Sequence, residues 1–573
     1  MSSNHQHTNG VLQHTNGLPD LKMLEQLANR FFKTAPQEEG TIPTYRFDEP
    51  LYSNGSVPKS VAGSGSTPSA LEQGTSFNLN DPQTSLPDPH FINGHIPQSV
   101  ADSGMSPSAE KEETLPSFEQ ELAHILKQIS IPVPVSQLPD LSAPSFYFLG
   151  GQQLFEPPGS KGILTHVQAP FDVNKVKADF PILQQKVNGR PLIWLDNAAT
   201  TQKPIQVINR ISAFYETENS NIHRAAHELA ARATDAYEQA RKKVQGFLNA
   251  ASINEIVFVR GATEAINLVA QSWGDLFLKA GDEIIVSHLE HHANIVPWQQ
   301  LVAKKGVVLR VIPVDDDGQV LLEEYAKLLN AKTKLVSFTQ VSNALGTITP
   351  AKKITDMAHA AGAKVLVDGA QAVSHLRADV QALDCDWYVF SGHKVFGPTG
   401  IGVLYGKEVL LNETLPWQGG GNMIKDVTFE HTTYQQSPAR FEAGTGNIAD
   451  AVGLGAALDY VTKIGIDLIS QYEHNLLAYA TGLLTQVKGL RLIGTAADKA
   501  GVLSFVLDGF KTEEVGAYLN KYGIAVRSGH HCAQPILRRF GVESTVRPSL
   551  ALYNTCGDID ALVNALQQIR ANK

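Results

Sequence analysis

The sequence predicts an α/β fold built on a mainly parallel sheet, preceded by a long segment that lacks the means to build a core of its own. Two observations carry this. From about residue 170 onward, five short apolar runs alternate with stretches of helical character: EIVFV (255–259), EIIVS (283–287), KLVSFTQ (334–340), AKVLVD (363–368) and DWYVF (386–390). Such alternation builds a parallel sheet covered by helices. Ahead of it, 18 of the 30 prolines in this 573-residue chain fall within the first 160 residues, among Ser, Gly, Asn and Gln.

The front segment also repeats itself. QHTNG occurs at 6–10 and again at 13–17, and 54–70 matches 93–109 at 11 of 17 positions, a pattern that fits no common solenoid unit. With few bulky apolar side chains, residues 1–165 cannot offset an ordering cost of roughly 1–2 kcal/mol per residue, so they read as a disordered tail. Two islands interrupt it. LKMLEQLANRFF places Leu21, Leu24, Ala28, Phe31 and Phe32 on one helical face, with Asp20 as N-cap and Pro36 beyond the end. Ser117 and Gln120 have capping-box spacing and open a second helix carrying Phe118, Leu122, Ile125, Leu126 and Ile129, followed by the extended IPVPVSQLPDLSAPSFYFLGG. Each apolar face wants a partner, either the chain's own globular part or another protein.

The charge balance, 47 Lys and Arg against 57 Asp and Glu, gives −10, and no basic run is present to hold a nucleic acid. Apolar runs fall well short of the roughly 18–20 residues of a membrane span, and MSSNHQHTNG has no signal-peptide character, so a soluble, cytoplasmic protein is expected. Three cysteines, Cys385, Cys532 and Cys556, are too few for a disulfide framework.

In parallel sheets, ligands sit at the carboxyl ends of the strands. There DWYVF runs into Ser391-Gly392-His393-Lys394, AKVLVD ends in Asp368 three residues before Gln371, and EIVFV leads through Arg260-Gly261-Ala262 to Thr263 at a helix start, where free N–H groups favour a phosphate. A lysine for a Schiff base, a carboxylate for a ring nitrogen and a phosphate cup are what pyridoxal phosphate requires. HLEHHAN (288–294) follows a strand and lacks the HExxH helical spacing, so no metal site is expected; His291 or His292 instead suits a ring stacked on the cofactor. Cys532 sits in RSGHHCA, near an arginine and two histidines that favour a thiolate, although a lone cysteine is more often a buried apolar residue. Cys385 and Cys556 read as structural. Arg547 is a candidate carboxylate clamp.

Taken together, LDNAAT, IHRAAHELA, RGATEAINLVA, EHHANIVPWQ, VSNALGT, VDGAQAV, SGHKVFGPTGIGVLY, RFEAGT and GIAVRSGHHCAQP resemble the SufS-type (group II) cysteine desulfurases over approximately residues 171–573. The resemblance implies the fold type I architecture of pyridoxal 5'-phosphate enzymes, with a large domain at 186–455 and a smaller α/β domain from 171–185 and 456–573 that carries the cysteine loop. It implies a homodimer and the release of sulfur from L-cysteine as an enzyme persulfide, leaving L-alanine. Lys394 is then the Schiff-base lysine, Asp368 the partner of the pyridine nitrogen, Gln371 that of the ring hydroxyl, and His291 the stacked ring. Thr263, Ser391 and His393 hold the phosphate, with Thr445 contributed across the dimer. Arg547, Asn343 and His223 bind substrate, and Cys532 is the nucleophile.

A short loop around Cys532 implies, by the same resemblance, slow turnover until a SufE-like or SufU-like acceptor removes the sulfur. Selenocysteine lyase and other class V enzymes are the rival activities, and a binding scaffold is the rival of another class. The tail resembles the N-terminal extensions of desulfurases packaged inside family 2 encapsulin shells, which implies a shell protein as partner; self-docking is the alternative.

Overall fold

The computed structural model describes residues 171–222 and 227–571; the tail, its two helical islands and His223 lie outside the described residues. Seven strands form the principal sheet: β1 (Ile256–Val259), β2 (Glu283–Ser287), β3 (Val308–Ile312), β4 (Thr333–Thr339), β5 (Lys364–Asp368), β6 (Trp387–Ser391) and β7 (Gly402–Gly406). Their order is β1-β7-β6-β5-β4-β2-β3. Only β7 runs opposite to the other six strands, so the expected mainly parallel sheet is what the chain forms.

Each of the five apolar runs becomes a strand, with ends moved by no more than a residue. β1, β2, β6 and β7 are buried along their whole length. A strand covered by helices on both faces needs apolar or β-branched residues at every position, which explains continuous runs such as IVFV and EIIVS. The two strands that the sequence disguised are β3, an edge strand whose Arg310 and Val311 face solvent, and β7, whose ends are glycines. Gly402 is required by a close approach: a Cβ there would sit 2.5 Å from the Cα of Gly261.

Helix Glu228–Leu248 buries Ala230, Ala233, Tyr237, Ala240, Val244 and Leu248, a stripe at helical spacing, and packs on helix Ile448–Ile464. Asn249 ends it in a left-handed conformation (φ 53°).

A second, antiparallel sheet comprises β8 (Leu490–Leu492), β9 (Phe505–Leu507), β10 (Arg527–Gly529) and β11 (Thr545–Arg547), in the order β8-β9-β11-β10. Leu476, Leu484, Val515, Leu519, Leu562 and Leu566, from helices Ile466–Leu484, Thr512–Lys521 and Cys556–Ala571, form its core. Ile193–Trp194 pairs in parallel with Ile524–Ala525, which ties the first described segment to the last part of the chain. These strands of two or three residues are too short to show a period in sequence.

Candidate active site

The carboxyl ends of β1, β2, β4, β5 and β6 converge on one cleft of about 180 Å³. β5 delivers Asp368 and, after a tight turn, Gln371; β6 delivers Ser391, His393 and Lys394; β1 leads to Thr263; β2 leads to His291; and β4 leads to Asn343. From the second sheet come Cys532 and Arg547. Ten of the twelve residues expected at the site therefore line one cleft, drawn from parts of the chain nearly 300 residues apart.

Local geometry explains how they are held. At the exit of β1 Gly261 lies against β6, where a Cβ would stand 3.1 Å from Ser391 Oγ. The Ser391 hydroxyl instead accepts the N–H of Ala262 at 2.9 Å, fixing the start of helix Ala262–Val269 beside the end of β6. Asp368 is buried and accepts the N–H of Ala370 at 2.9 Å. Burial pushes its carboxyl above the ordinary range, while that N–H and the nearby Lys394 ammonium pull it back. The same desolvation pulls the Lys394 ammonium below its usual range, against the attraction of Asp368. A lysine so placed gives up its proton more readily than one in water.

The histidines divide their roles. His291 lines the cleft, its Nδ1 accepting the N–H of Ala293 at 3.1 Å, and burial with the neighbouring Lys394 charge lowers its pKa to about 3. It is a neutral ring whose Nε2 carries the proton. His292 turns away and holds the cysteine loop: its N–H donates to the carbonyl of Cys532 at 2.8 Å, its Nε2 accepts the N–H of Gln534 at 3.3 Å, and its ring stacks on His530 at 5.9 Å. Of the two stacking candidates, only His291 borders the cleft.

Arg547 is buried and donates to the carbonyl of Asn343 at 3.0 Å and to Asp196 at 3.3 Å. Burial lowers its pKa to about 10, with Asp196 opposing. Asp196, in the LDNAAT segment, escaped the sequence reading; an acid directly after the apolar LIWL was the available signal. Arg527, also in the cleft wall, makes a second pair with it at 3.4 Å. Thr445 is outside this cleft and borders another with Arg260, Gly400 and Trp417. Cys385 is buried, and Cys556 is exposed at the first turn of the last helix.

Four buried polar atoms on cleft-lining residues have no hydrogen-bond partner among the described residues: Gln371 Oε1, Asn343 Oδ1, His531 Nδ1 and Arg547 Nε. Buried polar groups are nearly always satisfied, so unmatched acceptors and a donor in one cleft mark the place of a polar ligand. With a lysine, a buried carboxylate and a helix start beside it, the donor set fits a phosphorylated pyridine aldehyde. Sheet order and site together define a fold type I pyridoxal 5'-phosphate enzyme.

Residues 193–562 match the family model described as "Aminotransferase class-V". The chain belongs to the class-V aminotransferase family, and its cofactor is pyridoxal 5'-phosphate. Among relatives, the cysteine desulfurase of Synechococcus elongatus is 72% identical over 400 residues, 70% of this chain and 64% of that one. The chain thus spans slightly less than two thirds of that protein. The cysteine desulfurase of Dickeya dadantii is 53% identical over 70% of this chain and 97% of its own length. Among solved structures, the cysteine desulfurase CsdA of Escherichia coli superposes with a TM-score of 0.66 at 40% identity, covering 70% of this chain and 99% of that one.

Proposed function

We propose that the chain is a cysteine desulfurase of the SufS type that converts L-cysteine to L-alanine and keeps the sulfur as a persulfide on Cys532. The observation that carries this reading is a cysteine brought, on a pinned loop, into the same cleft as Lys394 and Asp368. The desulfurase relatives support it.

When bound, pyridoxal 5'-phosphate supplies an electron sink that acidifies the substrate Cα–H and weakens its C–S bond. Asp368 would hold the proton of the ring nitrogen, Gln371 would meet the ring hydroxyl, and the neutral His291 would lie against the ring. Thr263, Ser391 and His393 would hold the phosphate, joined by Thr445 of the partner subunit in a homodimer. Arg547 and Asn343 would bind the substrate carboxylate, with His223, outside the described residues, assigned to substrate binding by the resemblance alone. Lys394 Nζ, easily deprotonated where it sits, takes the Cα proton. The Cys532 thiolate attacks the substrate sulfur: an S–S bond forms, the C–S bond breaks, and its electron pair stays with the substrate carbon, which is protonated on the way to alanine. One cysteine thus yields one alanine and one persulfide, with no external oxidant.

A SufE-like or SufU-like protein then removes the sulfur for iron-sulfur cluster assembly or storage. The tail, 1–165, supplies short apolar motifs on a spacer and docks the enzyme in an encapsulin shell in the cytoplasm.

Turnover on L-cysteine and L-selenocysteine, compared in the wild type and Cys532→Ala, tests the chemistry. Loss of sulfur release from cysteine with retained selenocysteine cleavage is expected; cysteine activity independent of Cys532 would sink the mechanism.

A further inference from the structure

Behind Gln371 lies a chain of buried groups that the mechanism above does not use. Gln371 Nε2 is 3.3 Å from His375 Nε2, and His375 Nδ1 is 2.6 Å from Glu473 Oε2. All three residues are nearly sealed from solvent, with relative exposures of 3%, 4% and 3%. A carboxylate can only accept, so Glu473 takes the Nδ1–H of His375 and leaves Nε2 with a bare lone pair. That lone pair accepts from the Gln371 amide nitrogen. The amide is thereby oriented with its NH₂ toward His375 and its Oε1, which has no partner among the described residues, on the other end.

We infer that His375, held by Glu473, is the positioning residue that decides which end of the Gln371 amide faces the cleft. With one proton shared in the Glu473–His375 pair, Gln371 offers the cleft an acceptor, which suits a hydroxyl. A second proton puts N–H on His375 Nε2, the amide must turn to accept it, and the cleft meets an NH₂ donor, which suits an oxyanion. The pair is placed to take that proton. Burial pushes the Glu473 carboxyl above its ordinary range, with His375 opposing, and its Oε1 has no partner among the described residues. A cavity of about 360 Å³ borders both residues, and its wall also carries the titratable groups Asp467, His474 and Lys499. The inference rests on the reading that Gln371 meets the ring hydroxyl of the cofactor.

Glu473→Gln tests it in the holoprotein. The substitution replaces an acceptor-only partner by an amide that can also donate to His375 Nδ1, so the ring proton is no longer held on Nδ1 and Gln371 is released to turn its NH₂ toward the cleft. The expected result is a downward shift of about one unit in the pH midpoint of the cofactor's visible band, the size of one hydrogen bond exchanged from acceptor to donor. In a Gln371→Ala background the same substitution should leave the midpoint where it was. An unmoved midpoint with Gln371 present, or an equal shift without it, overturns the inference. Should Glu473→Gln fail to fold, ¹⁵N-histidine spectra of the wild-type holoprotein, assigned against His375→Phe, decide. A His375 ring whose Nδ1 carries no proton overturns it, and a protonated Nδ1 supports it. Absence of any Lys394-dependent visible band would instead defeat the underlying reading of the site.

Discussion

The carbonyl oxygen of Cys532 accepts a hydrogen bond from the backbone N–H of His292 at 2.8 Å. Beside it, Asn343 Nδ2 donates to the carbonyl of His531 at 2.7 Å. Two bonds from the ends of β2 and β4 thus hold a loop that begins at β10, in the other sheet. His531 and Cys532 both adopt left-handed backbone conformations, each at φ 54°, which costs an L residue on the order of 1–2 kcal/mol. Two consecutive such residues persist because the loop is pinned on both sides, by these bonds and by His531 Nε2 against Thr545 Oγ1 at 2.8 Å. The strain fixes where the cysteine enters the cleft.

Lys394→Ala should abolish the visible band of bound cofactor while leaving the far-ultraviolet spectrum and the melting temperature close to those of the wild type. Lys394 sits in a 3₁₀ turn after β6, largely buried but lining the cleft and outside the apolar core, so its truncation removes chemistry more than packing. An unchanged visible band would mean that another amine holds the cofactor.

Arg547→Ala should raise KM for L-cysteine by roughly 10- to 150-fold, the equivalent of about 1.5–3 kcal/mol for a hydrogen bond to a charged group. Arg547→Lys should recover only part of this, because one ammonium cannot reach the Asn343 carbonyl, Asp196 and a substrate carboxylate together. An effect confined to kcat would place the substrate carboxylate elsewhere.

Acid should destabilise the fold through its buried neutral histidines. Burial lowers His531 from the ordinary 6.5 to about 3 and His393 to about 4. Between those values and 6.5 the unfolded chain binds protons that the folded chain does not, so stability is present above about pH 6.5 and is lost as pH falls. The melting temperature is expected to drop from pH 7 to pH 5, and to drop less in His531→Gln. Parallel profiles for the two proteins would remove His531 from the account.

Deleting residues 1–165 should leave a soluble dimer with wild-type turnover on L-cysteine, because none of the proposed site residues lies there, while ending co-purification with a co-expressed encapsulin shell protein. An insoluble or inactive truncation would mean that the apolar motifs of the tail cover the enzyme's own surface.

Whatever could be read locally was legible in the sequence. Five strands announced themselves as continuous apolar runs, because both faces of their sheet are covered, and the residues following those runs, Asp368, Gln371, Ser391, His393 and Lys394, were legible as chemistry because parallel sheets place ligands at strand ends. Cys532 stood out through its basic neighbours. The tertiary structure decided what depends on segments far apart in the chain. It set Arg547 against Asp196, 351 residues earlier, and Glu473 behind His375, 98 residues earlier. It also made His292 a clasp on the cysteine loop and left His291 in the cleft. Adjacent histidines look alike in a sequence; which one meets the cleft depends on where the second sheet returns its loop, and that is fixed by packing and by backbone hydrogen bonds that no local pattern encodes.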